Sequence, residues 1–241
     1  MDISNKFLDH AYGYDDVSIV PGEFTINPEL ADTKFKIQEL EFDIPVLASA
    51  MDAVVSPEFA INFNSKGGLA VLNLEGIYTK YNDYIEPLES VISAKENESI
   101  SIMQKIYSKD IDENLVAERV KEIKEKSSIC AVSVTPANTK RLSPIAIEAG
   151  ADIIVVQSTV TTPRHFSKSI TGLNMSDLKK QIKIPLIVGN CVSYNVALEF
   201  MNTGVDGILV GVGPGAACTT REVTGLGVPQ VTATIDCSLA R

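Results

Sequence analysis

One cysteine in a glycine-rich loop is the best candidate in this chain for covalent chemistry. Residues 211–230 read GVGPGAACTTREVTGLGVPQ. Gly211, Gly213 and Gly215 stand at alternate positions, where the lack of a Cβ lets the backbone take unusual dihedrals and approach a ligand closely. Cys218 follows among small residues, with Thr219, Thr220 and Arg221 immediately beyond it. The thiolate is the reactive form of cysteine, and a neighbouring cation favours it. The spacing therefore predicts nucleophilic attack by Cys218, with Arg221 as the cation. Gly207-Ile-Leu-Val210, just before the loop, reads as a buried strand.

The remaining candidates are weaker. Cys130 reads as mid-strand core, Cys237 as core in a helix, and Cys191 as core at a strand end. No CxxC pair is present, and His10 and His165 are the only histidines, so a histidine-rich metal site is excluded. His165, after Pro163-Arg164, reads as a surface residue. Asn190 follows Gly189 at a strand end and reads either as a site residue or as a turn residue bonding its own backbone. A Rossmann reading of Gly211, Gly213 and Asp236 fails on spacing, because the sixth-position glycine is missing and no apolar helix follows directly.

Composition bounds the partners. The chain has 241 residues, a formal net charge of −10 and 45% hydrophobic residues, which argues against nucleic acid or an anionic membrane surface. A small phosphate remains possible, since backbone N–H groups can hold one. No apolar run approaches the roughly 18 residues of a membrane helix, and no signal peptide is visible, so the chain is expected to be cytoplasmic.

The elements that must position the loop alternate along the chain. Strands are expected at Pro45–Ser49, Gly68–Leu72, Ile129–Val134, Asp152–Val156, Pro185–Val188 and Gly207–Val210. Helices are expected from Ser56-Pro57 to Ser65, over 97–126, from Thr139 to Ala149 before Gly150, and from Tyr194 to Met201. The run Lys121–Lys126 reads as a solvated helix face. Several strands are apolar on consecutive residues, the mark of parallel strands covered on both faces. The class is α/β, and either an open doubly wound sheet or a (β/α)8 TIM barrel fits. Polar or glycine residues gather directly after the strands at Ser49–Asp52, Gln157–Thr159, Gly189-Asn190 and Gly211–Gly213, which favours the barrel. About six of eight βα units are present, so residues 1–241 are expected to form a single barrel domain truncated at its C-terminus.

At this point a family comes into view. The loop 211–230 closely resembles the catalytic loop of the IMP dehydrogenase/GMP reductase family. Tyr14-Asp-Asp-Val-Ser-Ile-Val-Pro21, Pro45-Val-Leu-Ala-Ser-Ala-Met-Asp52, Gly67-Gly-Leu-Ala-Val-Leu72 and Val188-Gly-Asn-Cys-Val192 resemble further motifs of that family in the same order. The resemblance implies a (β/α)8 barrel, usually tetrameric, that binds a purine nucleotide and uses NAD or NADP. Cys218 would attack C2 of the purine, with Thr220 positioning or activating water or the leaving group. Ser49, Met51, Gly215, Ala216 and Cys218 would line the nucleotide site. Gln157, Ser158, Asn190, Gly211, Val212 and Gly213 would lie near the cofactor. The carbonyls of Gly213, Gly215 and Cys218 would bind a monovalent cation, K+.

Departures from the family pattern qualify this. Residues 73–128 leave no space for the regulatory CBS pair that many relatives insert there. Ala216 replaces a phosphate-binding serine, and Gln157 replaces an aspartate. Together with Asn73-Leu-Glu-Gly76 and Met103-Gln-Lys-Ile-Tyr107, these features resemble a CBS-less, dehydrogenase-related branch. The resemblance implies IMP oxidation to XMP, in guanine nucleotide synthesis, with reduction of GMP to IMP by NADPH as the alternative. The Arg-Tyr flap that activates water in dehydrogenases would lie past Arg241. A reading of another class is a non-catalytic nucleotide-binding fragment.

Overall fold

The structure, a computed structural model, describes residues 9–163 and 173–241; His165 lies outside the described residues. Six strands follow the chain in the order β3-β4-β5-β6-β7-β8. They are β3 (Leu47–Ala48), β4 (Leu69–Asn73), β5 (Ala131–Val134), β6 (Ile153–Gln157), β7 (Leu186–Cys191) and β8 (Gly207–Val210). Pairing is parallel, with Leu47 opposite Leu69, Val71 opposite Ala131, and Ala131 opposite Ile153. A doubly wound sheet would reverse its strand order at a switch point. No reversal occurs, and the order is that of a (β/α)8 barrel carrying six of its eight strands.

The chain divides into two compact units. One comprises Asp32–Gln157 and Lys180–Ile187; the other comprises the described residues of 1–31 and 158–179, with Val188–Arg241. In the first, β4, β5 and β6 are buried on both faces, as apolar residues on consecutive positions require, and Ser133 of β5 is buried with them. Val116, Val120 and Ile123 from α4 (Glu113–Lys126) and Leu142 and Ala146 from α5 (Thr139–Glu148) complete that core. Each fully buried large aliphatic contributes about 1.5–3 kcal/mol. In the second unit, Val188, Ala197, Phe200, Val212, Ala233 and Cys237 are buried.

Ser56 caps α1 (Pro57–Asn64) by accepting the Phe59 N–H at 3.0 Å, with Pro57 in the first turn, as the sequence predicts. The segment 97–126 is not one helix. It forms α3 (Glu96–Tyr107) and α4, preceded by α2 (Ile85–Ile92). The break is made by Asp112, whose carboxylate accepts the Asn114 N–H at 2.9 Å. Its own N–H donates to the Thr79 carbonyl at 2.9 Å. A capping side chain thus ends the apolar period that the sequence shows as continuous. Within α4 the charged run keeps Ile123 in the core, and Lys124 pairs with Asp152 at 3.0 Å.

Three further corrections follow. A hairpin of β1 (Phe35–Ile37) and β2 (Leu40–Phe42), invisible in the sequence, stacks Phe35 on Phe42 with ring centroids 4.7 Å apart. Cys130 lies just before β5 rather than within it, still buried, with its N–H on the Asp152 carboxylate at 2.7 Å. β8 is half-buried throughout rather than buried. It stands last in the strand order, and a groove of about 560 Å3 lined by Ala197, Met201, Ile208, Thr234 and Cys237 opens beside it. Among the described residues no helix is long and apolar enough to cross a membrane.

Candidate active-site loop

The loop 213–227 leaves β8 and returns to α9 (Gln230–Ser238). Its base is closed by an antiparallel bridge between Val212 and Val228, with the Val228 N–H donating to the Val212 carbonyl at 3.0 Å. Gly211 (φ +136°) and Gly213 (φ +61°) turn the chain there in conformations that L side chains rarely adopt. A Cβ on Gly211 would also lie 2.6 Å from Gln230 Oε1. Gln230 Nε2 donates to the Val210 carbonyl at 3.0 Å, and Asn190 Nδ2 donates to the Gly211 carbonyl at 2.9 Å. Two side-chain amides therefore clamp the strand exit from which the loop departs.

Cys218 is exposed at the tip, with its N–H donating to the Gly215 carbonyl at 3.1 Å. Its thiol donates to Thr220 Oγ1 at 3.2 Å. Once ionised, the sulfur accepts from the hydroxyl and the backbone N–H of Thr220, and these bonds hold its pKa below the usual thiol range. Arg221 adds a smaller push in the same direction. The cation thus acts in the expected direction, while Thr220, in the short helix α8 (Thr220–Thr224), carries the larger effect. Part of the Arg221 side chain is spent on packing, since a Cβ on Gly213 would meet its Cγ at 3.1 Å.

The other cysteines are buried. Burial pushes Cys130 up to about 12, and burial together with the neighbouring Cys237 thiol pushes Cys191 up to about 12. Cys218 is accordingly the thiol for an alkylating agent to find. Thr220→Val is expected to move the midpoint of its pH-dependent alkylation upward. The thiolate fraction at neutral pH then falls by roughly threefold to tenfold, because each pKa unit changes it tenfold below the midpoint. Timed iodoacetamide labelling with peptide mass analysis measures this, and an unmoved midpoint would refute the role of Thr220.

The structure brings Ser158, Asn190 and Gly211 together in the second unit. The Ser158 N–H donates to the Gly189 carbonyl at 3.1 Å, and the Asn190 N–H returns to the Ser158 carbonyl at 3.2 Å. The Ser158 hydroxyl turns to the Val160 carbonyl at 2.7 Å and lies 2.8 Å from Thr161 Oγ1. Asn190 is not bonding its own backbone, because its amide spans to Gly211. Gly215 and Ala216 are exposed on the loop.

Ser49, Met51 and Gln157 belong to the first unit. Gln157 ends β6, half-buried. Ser49 and Met51 follow β3 in a tight exposed loop, with the Met51 N–H on the Ser49 carbonyl at 2.8 Å. The next residue, Asp52, was given no role by sequence reasoning. Its carboxylate accepts from Asn73 Nδ2 at 3.1 Å, the Ile77 N–H at 2.7 Å and the Tyr107 hydroxyl at 2.6 Å. Its carbonyl accepts the Tyr78 hydroxyl at 3.1 Å. Glu75 does similar work one strand on, accepting the Thr135 N–H at 2.5 Å and Asn138 Nδ2 at 2.6 Å. The loops after β3, β4 and β5 are thereby laced in sequence by two carboxylates. The signal was present, because Asp52, Asn73–Gly76 and Tyr107 all sit in motifs singled out for another reason.

Comparison with known proteins places this arrangement. Residues 11–241 match the family model of the IMP dehydrogenase / GMP reductase domain. An uncharacterized oxidoreductase of Mycolicibacterium smegmatis is 35% identical over 236 residues, covering 95% of this chain and 63% of that protein. An inosine-5'-monophosphate dehydrogenase of Borreliella burgdorferi is 28% identical over 250 residues, covering 96% of this chain and 61% of that protein. The crystal structure of an IMP dehydrogenase/GMP reductase-like protein from Corynebacterium glutamicum matches with a TM-score of 0.90 and 32% identity, over 97% of this chain and 62% of that one. The chain thus spans a little under two thirds of the length of these relatives. With its sequential strand order and its cysteine loop, the chain belongs to the IMP dehydrogenase / GMP reductase family.

Proposed function

We propose that the protein is a nicotinamide-dependent oxidoreductase that converts IMP to XMP through a covalent adduct on Cys218. The observation that carries this reading is the exposed Cys218 thiol, lowered in pKa by Thr220 on a loop fixed at its base by the Val212–Val228 bridge. Membership of the family supports it, as does similarity to the dehydrogenase of Borreliella burgdorferi.

Cys218 Sγ, as thiolate, forms a bond to C2 of the purine. C2 must then lose its hydrogen with the electron pair, and a nicotinamide, when bound, would supply the acceptor for that hydride. Water then adds at C2, the S–C2 bond breaks, and XMP departs while the sulfur recovers its protonation equilibrium with solvent. One IMP, one oxidised cofactor and one water give XMP, reduced cofactor and a proton. Thr220 holds the sulfur anionic before attack and as it leaves. Ser49, Met51, Gly215 and Ala216 would contact the nucleotide. Ala216 offers no hydroxyl, so a phosphate near it would rely on backbone N–H groups.

The cofactor, NAD or NADP, would be held by Gln157, Ser158, Asn190, Gly211, Val212 and Gly213. The amide and hydroxyl groups among these residues are of the type that suits a carboxamide-bearing ring, and Asn190 and Gln230 fix the backbone of the strand exit. The carbonyls of Gly213, Gly215 and Cys218 are the donor type that suits K+, although Gly215 already accepts the Cys218 N–H. A homotetramer is the assembly proposed, to be checked by sedimentation.

The test is absorbance at 340 nm, run in both directions. A rise with IMP and NAD+ or NADP+ is the expected result. A fall with GMP and NADPH would replace the proposal by GMP reduction. Silence in both assays from a folded protein that binds IMP would replace it by nucleotide binding without turnover.

A further inference from the structure

The loop that presents Ser49 and Met51 is held from outside by a residue of α3. Residues 74–130 join β4 to β5, and α3 ends in this connection at Tyr107. The Tyr107 hydroxyl reaches the Asp52 carboxylate at 2.6 Å, across 55 positions of sequence. Asp52 is the centre of the loop. The N–H groups of Val54 and Val55 donate to the Met51 carbonyl at 2.8 and 2.9 Å, and Met51 itself is bonded to Ser49. A rotation of Asp52 therefore displaces Met51, its direct neighbour. The other two donors to this carboxylate are Asn73, the last residue of β4, and Ile77, from the loop that follows it. Gly76 allows their approach, because a Cβ there would collide with the Asp52 carboxylate.

We infer that Tyr107 is a positioning residue: through Asp52 it fixes the conformation of loop 49–55, and so sets how tightly the purine nucleotide is held. The nucleotide part of this inference rests on the function proposed above; the loop part does not. Asn73 and Ile77 tie Asp52 to the neighbouring strand end, whereas Tyr107 ties it to a helix of the β4–β5 connection. That connection is consequently part of the nucleotide site, although no residue of α3 needs to touch the ligand. A hydroxyl donating to an ionised carboxylate is a strong and short bond. Removing it leaves Asp52 with donors on one side only.

The experiment is Tyr107→Phe in the whole protein, which keeps the ring and removes the bond. Amide exchange by mass spectrometry is expected to quicken roughly tenfold at Met51, Val54 and Val55 while β5 and β6 stay unchanged. The KM for IMP is expected to rise roughly fivefold to tenfold, with kcat within about twofold, the pattern of weakened ground-state binding. Asp52→Asn gives a second reading: adding Tyr107→Phe to it raises KM no further, because the two residues act as one unit. Unchanged exchange in 49–55, or a quickening spread over the whole unit, overturns the inference. A loosened loop with an unchanged KM overturns the positioning role as well. If the loop loosens but the parent protein turns over neither IMP nor GMP, the latch stands and the proposed function falls.

Discussion

A Cys218→Ser protein is expected to lose at least about a thousandfold in turnover of IMP, the scale of loss when a covalent nucleophile is removed. Serine occupies nearly the same space, but its hydroxyl does not ionise near neutrality, so the two hydrogen bonds from Thr220 have no anion to hold. Cys218 is exposed and makes no core contact, so the unfolding midpoint should not move and nucleotide affinity should survive. Turnover at 340 nm, IMP titration by calorimetry and a thermal melt separate these effects. Retained turnover would remove Cys218 from the chemistry, whatever the family resemblance.

The second large effect concerns Gly189→Ala, and it is one of stability. Gly189 lies in β7, where a Cβ would sit 2.5 Å from Leu209 Cβ, 2.7 Å from the Leu209 carbonyl oxygen and 3.1 Å from Leu209 Cα. These atoms belong to the backbone and the first side-chain carbon of β8, so no rotamer change relieves the clash. Overpacking of this kind costs about 1–3 kcal/mol, with the upper end appropriate where the neighbour is a strand. The same shift would pull Asn190 from Gly211 and move the Gly189 carbonyl from the Ser158 N–H. Urea unfolding should show the loss of stability, and turnover should fall with it. A variant within about 0.5 kcal/mol of the parent, the range of neutral surface changes, would show that the two strands can separate at no cost.

Much of the fold was legible because burial on both faces leaves an unambiguous trace. Leu69–Asn73 and Ile153–Gln157 are unbroken apolar runs closed by a polar residue, Leu186–Cys191 opens on the apolar run 186–188, and each is a strand. Helix α1 announced itself by Ser56-Pro57. The hairpin β1–β2 did not, because its turn at Gln38-Glu39 lacks the Asn-Gly or Asp-Gly pair that usually marks one, and Gln38 takes φ +51° without that help. The break between α3 and α4 was hidden because the apolar period resumes in phase at Val116.

The site divides in the same way. Cys218 and Thr220 are two residues apart, and the resemblance to the family's catalytic loop was what paired them. Arg221 lowers the thiol pKa as its adjacency suggested, but less than Thr220 does, and part of that side chain packs against Gly213. The Asp52–Tyr107 contact joins residues 55 positions apart, and no periodicity in a single chain encodes such a pair.

The Val212–Val228 bridge bears on how this loop can change over evolutionary time. With its ends already joined, the segment between them behaves as a closed ring whose length matters little: each doubling costs only about 0.6 kcal/mol in chain entropy. Gly225 stands exposed just past α8 with open space around it, so insertions there would lengthen the far arm without disturbing the arm that carries Cys218. The bridge thus separates the arm that holds the sulfur from an arm free to change in length, so the rim of the site can be reshaped while the sulfur stays in place.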